Sequence, residues 1–237
     1  MLKAVFFDLD GTLLPMDQNE FVKCYFSKLA KRFESLGYDP KEFTDTIWKA
    51  ISAEVRNDGS RTNWEVFWDV FVSAFGEKSR EDAPVFDEFY RTEFQKVKDV
   101  CGYSPVSEEI VDMLRGNGCK IILATNPVFP EVATVARIGW AGLEPRDFDV
   151  ITYMENTSLT KPNLEYYRYL LDKIGVQPQD CIMVGNDVDE DMVASELGMK
   201  VFLVTDNYIN RAGKDISVYP NGDLAQLKEF LEKEMCQ

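Results

Sequence analysis

Apolar and polar positions follow two regimes along this chain. Ala4 to Phe7 form a short, fully apolar run of strand formers, the pattern of a strand buried on both faces of a parallel sheet. After Leu14 the period becomes helical. Gln18 to Leu36 predicts one amphipathic helix and Pro40 to Val55 a second, with Pro40 suited to the first turn. Asn57-Asp58-Gly59-Ser60 is a turn signal. Asn63 to Phe75 predicts a third helix, with Trp64, Phe67, Trp68 and Phe71 on one side, and a fourth runs from Pro84 to about Lys96.

From Ser107 onward strands and helices alternate. A helix over Ser107 to Arg115 leads through Gly116-Asn117-Gly118 into a strand from Lys120 to Ala124. Pro130 to Ile138 (helix), Asp149 to Tyr153 (strand) and Pro162 to Ile174 (helix) follow. Cys181 to Val184 and Lys200 to Val204 are further strands, separated by a helix from Asp187 to Leu197, and Leu224 to Glu234 is the last helix. Such alternation implies a doubly wound parallel α/β sheet. The N-terminal strand belongs to it, so residues 1–14 and 101–237 form a Rossmann-like core. Residues 15–100 are then an inserted all-helical cap domain.

Composition narrows the chemistry. With 45% apolar and 28% charged residues the chain can bury a sizeable core. No run is long enough to span a membrane, and the first residues lack the layout of a signal peptide. The expected setting is cytoplasmic. Cysteines at 24, 101, 119, 181 and 236 form no close pair, as expected of reduced thiols. The absence of histidine removes Ser-His-Asp and Cys-His catalysis and every His-ligated metal site. A net charge of −15 argues against a nucleic-acid partner, and an anionic substrate would need a local cation to hold it.

Polar groups emerge where four of the predicted strands end. At the first, Phe7-Asp8-Leu9-Asp10-Gly11-Thr12 presents two carboxylates on one face, their Cα atoms about 7 Å apart on extended backbone. That pair suits a divalent cation, with one carboxylate left to attack or to move a proton. At the second, Pro127 keeps Asn126 out of the helical region, so Thr125 and Asn126 offer a hydroxyl, an amide and backbone N–H groups to a phosphate oxygen. At the third, Lys161 stands directly before a proline-led helix, where a compact cation and a helix N-terminus both favour an anion. At the fourth, Gly185-Asn186-Asp187-Val188-Asp189-Glu190-Asp191 opens a helix with four acids, and Asp187 and Asp191 share a face.

Taken in order, these four segments resemble the motifs of the haloacid dehalogenase superfamily. Its first motif is an apolar strand followed by Asp-x-Asp-x-Thr, its third a lysine before a helix, and its fourth Gly-Asp or Asp-Asp with a later Asp. A helical insertion after the first motif resembles the superfamily's helical-cap branch. The resemblance implies a Mg²⁺-dependent phosphatase acting on a small phosphorylated metabolite. It implies that Asp8 attacks phosphorus to give an aspartyl-phosphate, and that Asp10 protonates the leaving oxygen and then activates water. Thr125, Asn126 and Lys161 would hold the phosphoryl group. Mg²⁺ would sit on Asp8, the carbonyl of Asp10 and Asp187, with Asp191 orienting its shell. The fourth motif departs from the family's pattern, since one spacing puts Asn186 where the metal-binding Asp belongs. Asp187 is preferred for its full charge, and Asn186 stays an alternative.

The same residues leave other readings open. A phosphosugar mutase of the superfamily shares the catalytic set, whereas a dehalogenase would have no use for Asp10 and the fourth-motif acids. A phospho-Asp signalling receiver or a non-enzymatic binding module is the reading from a different class. In the cap, Arg56, Asp58, Arg61 and Asn63 lie in or near a loop within reach of a substrate, and the Trp64–Phe71 aromatics are expected in the cap core.

Overall fold

The computed structural model describes residues 2–236. Strand β1 (Ala4–Phe7) is completely buried, as its unbroken apolar run requires. It lies inside a six-stranded parallel sheet with β2 (Lys120–Leu123), β3 (Val150–Ile151), β4 (Cys181–Gly185), β5 (Lys200–Val204) and β6 (Asn221–Gly222), in the order β3-β2-β1-β4-β5-β6. This is the doubly wound order, in which ligands bind beyond the strand ends where the winding reverses. That reversal falls at β1. Phe7 pairs with Leu123 on one side and Val184 on the other. The chain therefore leaves the sheet at Asp8, Ala124 and Gly185 at one level.

Alternate residues of the strands pack into two cores. Val5, Phe7, Ile121, Leu123, Ile182 and Val184 face α5 (Pro105–Gly116) and α8 (Leu224–Met235). Ala4, Phe6, Ile122 and Met183 face α7 (Leu164–Ile174), through Tyr166, Tyr167 and Leu170. Helix α6 (Glu131–Trp140) follows β2 and joins the first core through Ala133 and Ile138.

The helical insertion lies between β1 and β2. It comprises α1 (Gln18–Glu34), α2 (Pro40–Val55), α3 (Asn63–Phe75) and α4 (Ala83–Arg91), completed by 3-10 turns over Glu77–Asp82 and Glu93–Val100. Each of the first three starts at a side-chain cap: Asp17, Asp39 and Thr62, the last in a capping box with Glu65. Phe33, Phe43, Phe71 and Phe86 form the centre of the cap, with Phe33 stacked on Phe43 at 4.5 Å. Burying each such ring contributes about 1.5–3 kcal/mol.

The cap meets the core at defined contacts. Its two connecting segments pair as an antiparallel bridge between Met16 and Cys101. The free N–H groups at the start of α3 donate to core carbonyls, Asn63 to Thr157 and Trp64 to Met154, both at 2.9 Å. Asn63 Nδ2 donates to the Pro127 carbonyl at 3.0 Å. Along this seam Glu54, in the last turn of α2, is fully buried with both carboxylate oxygens unpartnered. Burial holds its carboxyl well above the ordinary 4.5, and the Glu155 carboxylate pushes the same way.

Glu54 is thus neutral in the folded protein at a pH where the unfolded chain has ionised it. The folded state binds the extra proton, so stability falls as pH rises above about 4.5, by roughly 1.4 kcal/mol per unit until the folded group titrates. Glu54→Gln removes that slope. Its melting temperature should exceed that of the wild type at about pH 8 and converge on it near pH 4–5; a constant offset across that range would rule the assignment out.

Three departures from the sequence reading have local causes. The fourth cap helix ends at Arg91 rather than near Lys96, where Gln95 Nε2 donates to the Tyr90 carbonyl and the chain tightens into a 3-10 turn. Only Val150 and Ile151 of the segment from Asp149 to Tyr153 join the sheet. The helix expected from Asp187 starts instead as turns through Asp191, with a 3-10 helix over Met192–Leu197. The carboxylate of Asp187 takes the N–H groups of Asp189 and Glu190 at 2.8 and 3.0 Å, and that of Asp191 takes the Asp187 N–H at 2.9 Å. These side chains compete with the helical ladder for the backbone donors.

Candidate active site

The loop after β1 folds back at once. Gly11 adopts φ +83°, and a Cβ there would collide with the Asn186 amide, so only glycine lets the two loops approach. Thr12 Oγ1 consequently lies 3.4 Å from both Asp8 Oδ2 and Asn186 Oδ1. Asp8 itself is fixed by its N–H donating to the Val184 carbonyl at 2.9 Å.

Lys161 enters from the loop before α7 and is 2% exposed. Its Nζ donates to Asp8 Oδ1 at 2.8 Å and to Asp191 Oδ1 at 2.6 Å. Burial alone would lower the lysine, but the carboxylates of Asp191 and Asp8 outweigh it and hold the ammonium well above the ordinary lysine range. Burial pushes the Asp191 carboxyl up, and the Lys161 charge pulls against that. A cation locked against Asp8 is the local charge that an anionic substrate needs in so acidic a protein.

Asp10 has a different partner. Arg137, on the buried side of α6, forms an ion pair with Asp10 Oδ2. The guanidinium is itself held, by Nε donating to the Ala133 carbonyl and Nη2 to Thr134 Oγ1, both at 3.3 Å, and it lies 4.4 Å from the centre of the Phe129 ring. Asp10 Oδ1 is buried without a partner. Burial raises the Asp10 carboxyl above its ordinary range and Asp8 adds to this, while Arg137 opposes it. Such a group can carry a proton at a pH where free aspartate cannot.

The remaining expected residues are all present, in differing engagements. Thr125 lines the cleft, its carbonyl anchored by Thr152 Oγ1 at 2.8 Å and the Tyr166 hydroxyl at 3.1 Å. Asn126 braces two loops: its Oδ1 accepts from the Lys161 N–H at 3.2 Å and its Nδ2 donates to Glu190 at 3.0 Å. Asp187 turns to its own loop and to Arg211, whose Nη1 donates to Oδ2 at 2.6 Å. Asn186 instead turns its Oδ1 to the Thr12 hydroxyl that Asp8 also contacts, with its Nδ2 fixed on the Asn207 carbonyl at 2.7 Å. Asp191 is completely buried beneath Lys161.

Among the described residues no three His, Cys, Asp or Glu side chains converge as a metal cage. The side-chain groups near Asp8 that could bind a metal offer oxygen: its own carboxylate and, across the Thr12 hydroxyl, the amide oxygen of Asn186. That mixed set suits a hard divalent cation that keeps several waters. It does not suit zinc, which wants nitrogen or sulfur.

A cleft of about 540 Å³ opens above these groups, between the strand ends and the cap. Arg56, Asp58, Arg61 and Asn63 are not among the described residues that line it. Arg61 is ion-paired with Asp69, and Asn63 is buried in the seam. Phe67, Trp68 and Phe71 are buried in the cap core with Trp64 packed against them.

Sequence reasoning missed Arg137 and Arg211. For Arg137 a signal was present: a lone basic residue on the face of α6 that Ala133 and Ile138 bury. For Arg211 there was none, because its segment reaches Asp187 only through the bridge between Asp187 and Ile209.

Comparison with known proteins agrees with this architecture. Residues 2–198 match the family model described as haloacid dehalogenase-like hydrolase. The chain is 25% identical to a glyceraldehyde 3-phosphate phosphatase from Methanothermobacter thermautotrophicus, over 98% of its own length and all of the relative's. It is 27% identical to one from Methanocaldococcus jannaschii, over 98% of each. Among solved structures, a HAD phosphatase from Thermococcus onnurineus superposes with a TM-score of 0.59 at 20% identity, covering 97% of this chain and 98% of that one. With a parallel sheet in this order, a helical cap inserted after the first strand and a family match over most of its length, this chain belongs to the haloacid dehalogenase-like hydrolases.

Proposed function

We propose that this chain hydrolyses a small phosphorylated metabolite through an aspartyl-phosphate on Asp8. The observation that carries the reading is the Lys161 ammonium held 2.8 Å from Asp8 at the end of the central strand, with Asp10 two residues on and a capped cleft above. The names of the curated relatives, phosphatases of a phosphorylated metabolite, support the same class.

Phosphate esters resist hydrolysis so strongly that positioning and charge neutralisation must supply most of the catalysis. Asp8 Oδ2, the oxygen not engaged by Lys161, attacks phosphorus in line with the leaving oxygen. Lys161 neutralises charge on Asp8 and on the equatorial phosphoryl oxygens, and Thr125 donates its hydroxyl to one of them. Asp10 gives the leaving oxygen its proton, then takes one from the water that cleaves the acyl phosphate. Arg137 holds Asp10 in place between these steps. Asn126 acts by fixing the Lys161 backbone.

Mg²⁺ would supply Lewis-acid stabilisation of the phosphoryl oxygens when bound. Asp8, the carbonyl of Asp10 and Asn186 would hold it. Asn186 is preferred to Asp187 because its oxygen shares the Thr12 hydroxyl with Asp8, whereas both oxygens of Asp187 serve Arg211 and the loop. Five cysteines free of disulfides suit a reducing, cytoplasmic setting.

The test is release of p-nitrophenol from p-nitrophenyl phosphate with Mg²⁺ and with excess EDTA. Turnover should need the metal and be restored by re-adding it. Unchanged turnover in EDTA would remove the metal from the account, and no turnover of any phosphate ester would remove the phosphatase reading.

A further inference from the structure

The cleft above Asp8 is far larger than a phosphoryl group needs, and much of its cap wall is apolar. On the cap side α1 contributes Val22 and Phe26, and α2 contributes Trp48, Ile51 and Val55; Phe129 faces them from the core. Trp48 is 45% exposed although it stacks on Phe26, with ring centres 4.8 Å apart and planes 20° from parallel. One indole face is thus spent on Phe26 and the rest is open. At 540 Å³ the space falls within the range of about 300–1,000 Å³ that takes drug-sized ligands. A triose phosphate would fill only its inner end.

Sugar hydroxyls taken from water into such a space need hydrogen-bond partners, and these aliphatic and aromatic walls offer at most the one indole N–H of Trp48. Polar groups on the cap side are Gln18, Asn19 and Lys23, in the first two turns of α1, and Tyr25, whose hydroxyl is already paired with that of Tyr90 at 2.8 Å. We propose that the phosphoryl carrier is an aromatic or similarly planar apolar molecule that stacks on Trp48, rather than a sugar. This inference rests on the phosphatase reading for its chemistry and on the cap walls for its content. The cap walls alone carry the choice of carrier, since the catalytic groups below are indifferent to what the phosphate is attached to.

The test compares substrates with the same kind of leaving group. Naphthylmethyl phosphate and glucose 6-phosphate both release a primary alcohol, and methyl phosphate fills only the inner end of the cleft. We expect kcat/KM for naphthylmethyl phosphate to exceed that for glucose 6-phosphate by at least about fivefold, the lower end of what aromatic stacking contributes. Trp48→Ala should cut the ratio of naphthylmethyl to methyl phosphate by about tenfold, mainly through KM, and Trp48→Phe should restore part of it. Equal or better use of glucose 6-phosphate, or an unchanged ratio in Trp48→Ala, would overturn the proposal.

If no phosphate ester is turned over, the phosphatase reading fails, and naphthylmethylphosphonate binding judges the cleft by itself. Binding about tenfold tighter than methylphosphonate, lost in Trp48→Ala, would uphold the apolar site. Equal binding of the two phosphonates would overturn it.

Discussion

Replacing Asp8 by Asn should abolish steady-state phosphatase turnover, lowering kcat by at least about four orders of magnitude, the scale on which removal of a covalent nucleophile acts. An amide has no charge to offer phosphorus and cannot form the acyl phosphate. The fold should survive the change. Lys161 keeps its 2.6 Å bond to Asp191, and Thr12 and the Val184 carbonyl still fix the loop. A circular-dichroism melt close to the wild-type one, measured on the same preparation, separates lost chemistry from lost structure. Substantial residual turnover in a purified, metal-loaded Asp8→Asn protein would move the nucleophile elsewhere.

The second large effect is on stability as well as activity. Lys161→Met leaves the buried carboxylates of Asp8 and Asp191 facing each other without their shared cation. Breaking a buried ion pair from one side costs about 3–5 kcal/mol, because the remaining charge stays desolvated. The cost should depend on pH. Without Lys161 the Asp191 carboxyl, already raised by burial, takes up a proton more readily in the folded state. The folded variant then binds protons that the unfolded chain does not, so its stability deficit grows as pH rises and shrinks toward acid. Denaturant melts of the wild type and variant at about pH 5 and pH 8 measure this directly. An equal deficit at both would show that Lys161 is not the charge partner of Asp191. Turnover should fall with the variant at every pH, since the transferring phosphoryl group loses its cation.

Much of this site was legible before any coordinates. The apolar run of β1 could only be a buried strand, and Asp8 and Asp10 had to leave it together. Pro40 in the first turn of α2 and the helical spacing of the α3 aromatics after a turn signal let both be placed residue for residue. Lys161 was readable from its place shortly before a helix, although Pro162 does not lead that helix: α7 starts at Leu164, capped by Asn163. What remained hidden depends on contacts distant in sequence. Arg137 is 127 residues from Asp10, and only the packing of α6 against the loop after β1 brings them together. The fourth motif was read as a helix because its acids suit a helix N-terminus, yet the same carboxylates capture the backbone donors and impose turns.

Charge counting also favoured Asp187 over Asn186 as a metal ligand. Sequence gives no warning that Arg211 occupies one Asp187 oxygen while Gly11 lets Asn186 reach the loop after β1. With Asn186 as the proposed ligand, a neutral amide would reduce the formal charge offered to a cation. Asn186→Asp should therefore tighten Mg²⁺ binding measured calorimetrically, whereas Asp187→Asn should not weaken it as the loss of a direct ligand would.

The central claim is that phosphate passes through Asp8. The most direct measurement mixes the metal-loaded protein with excess p-nitrophenyl phosphate, quenches it in acid within milliseconds, and locates any phosphoryl group by mass spectrometry of the digest. The account predicts one phosphoryl group on the peptide carrying Asp8, formed before steady-state turnover and missing from Asp8→Asn. A phosphoryl group on another residue, or rapid turnover with Asp8 unmodified at every quench time, would contradict it.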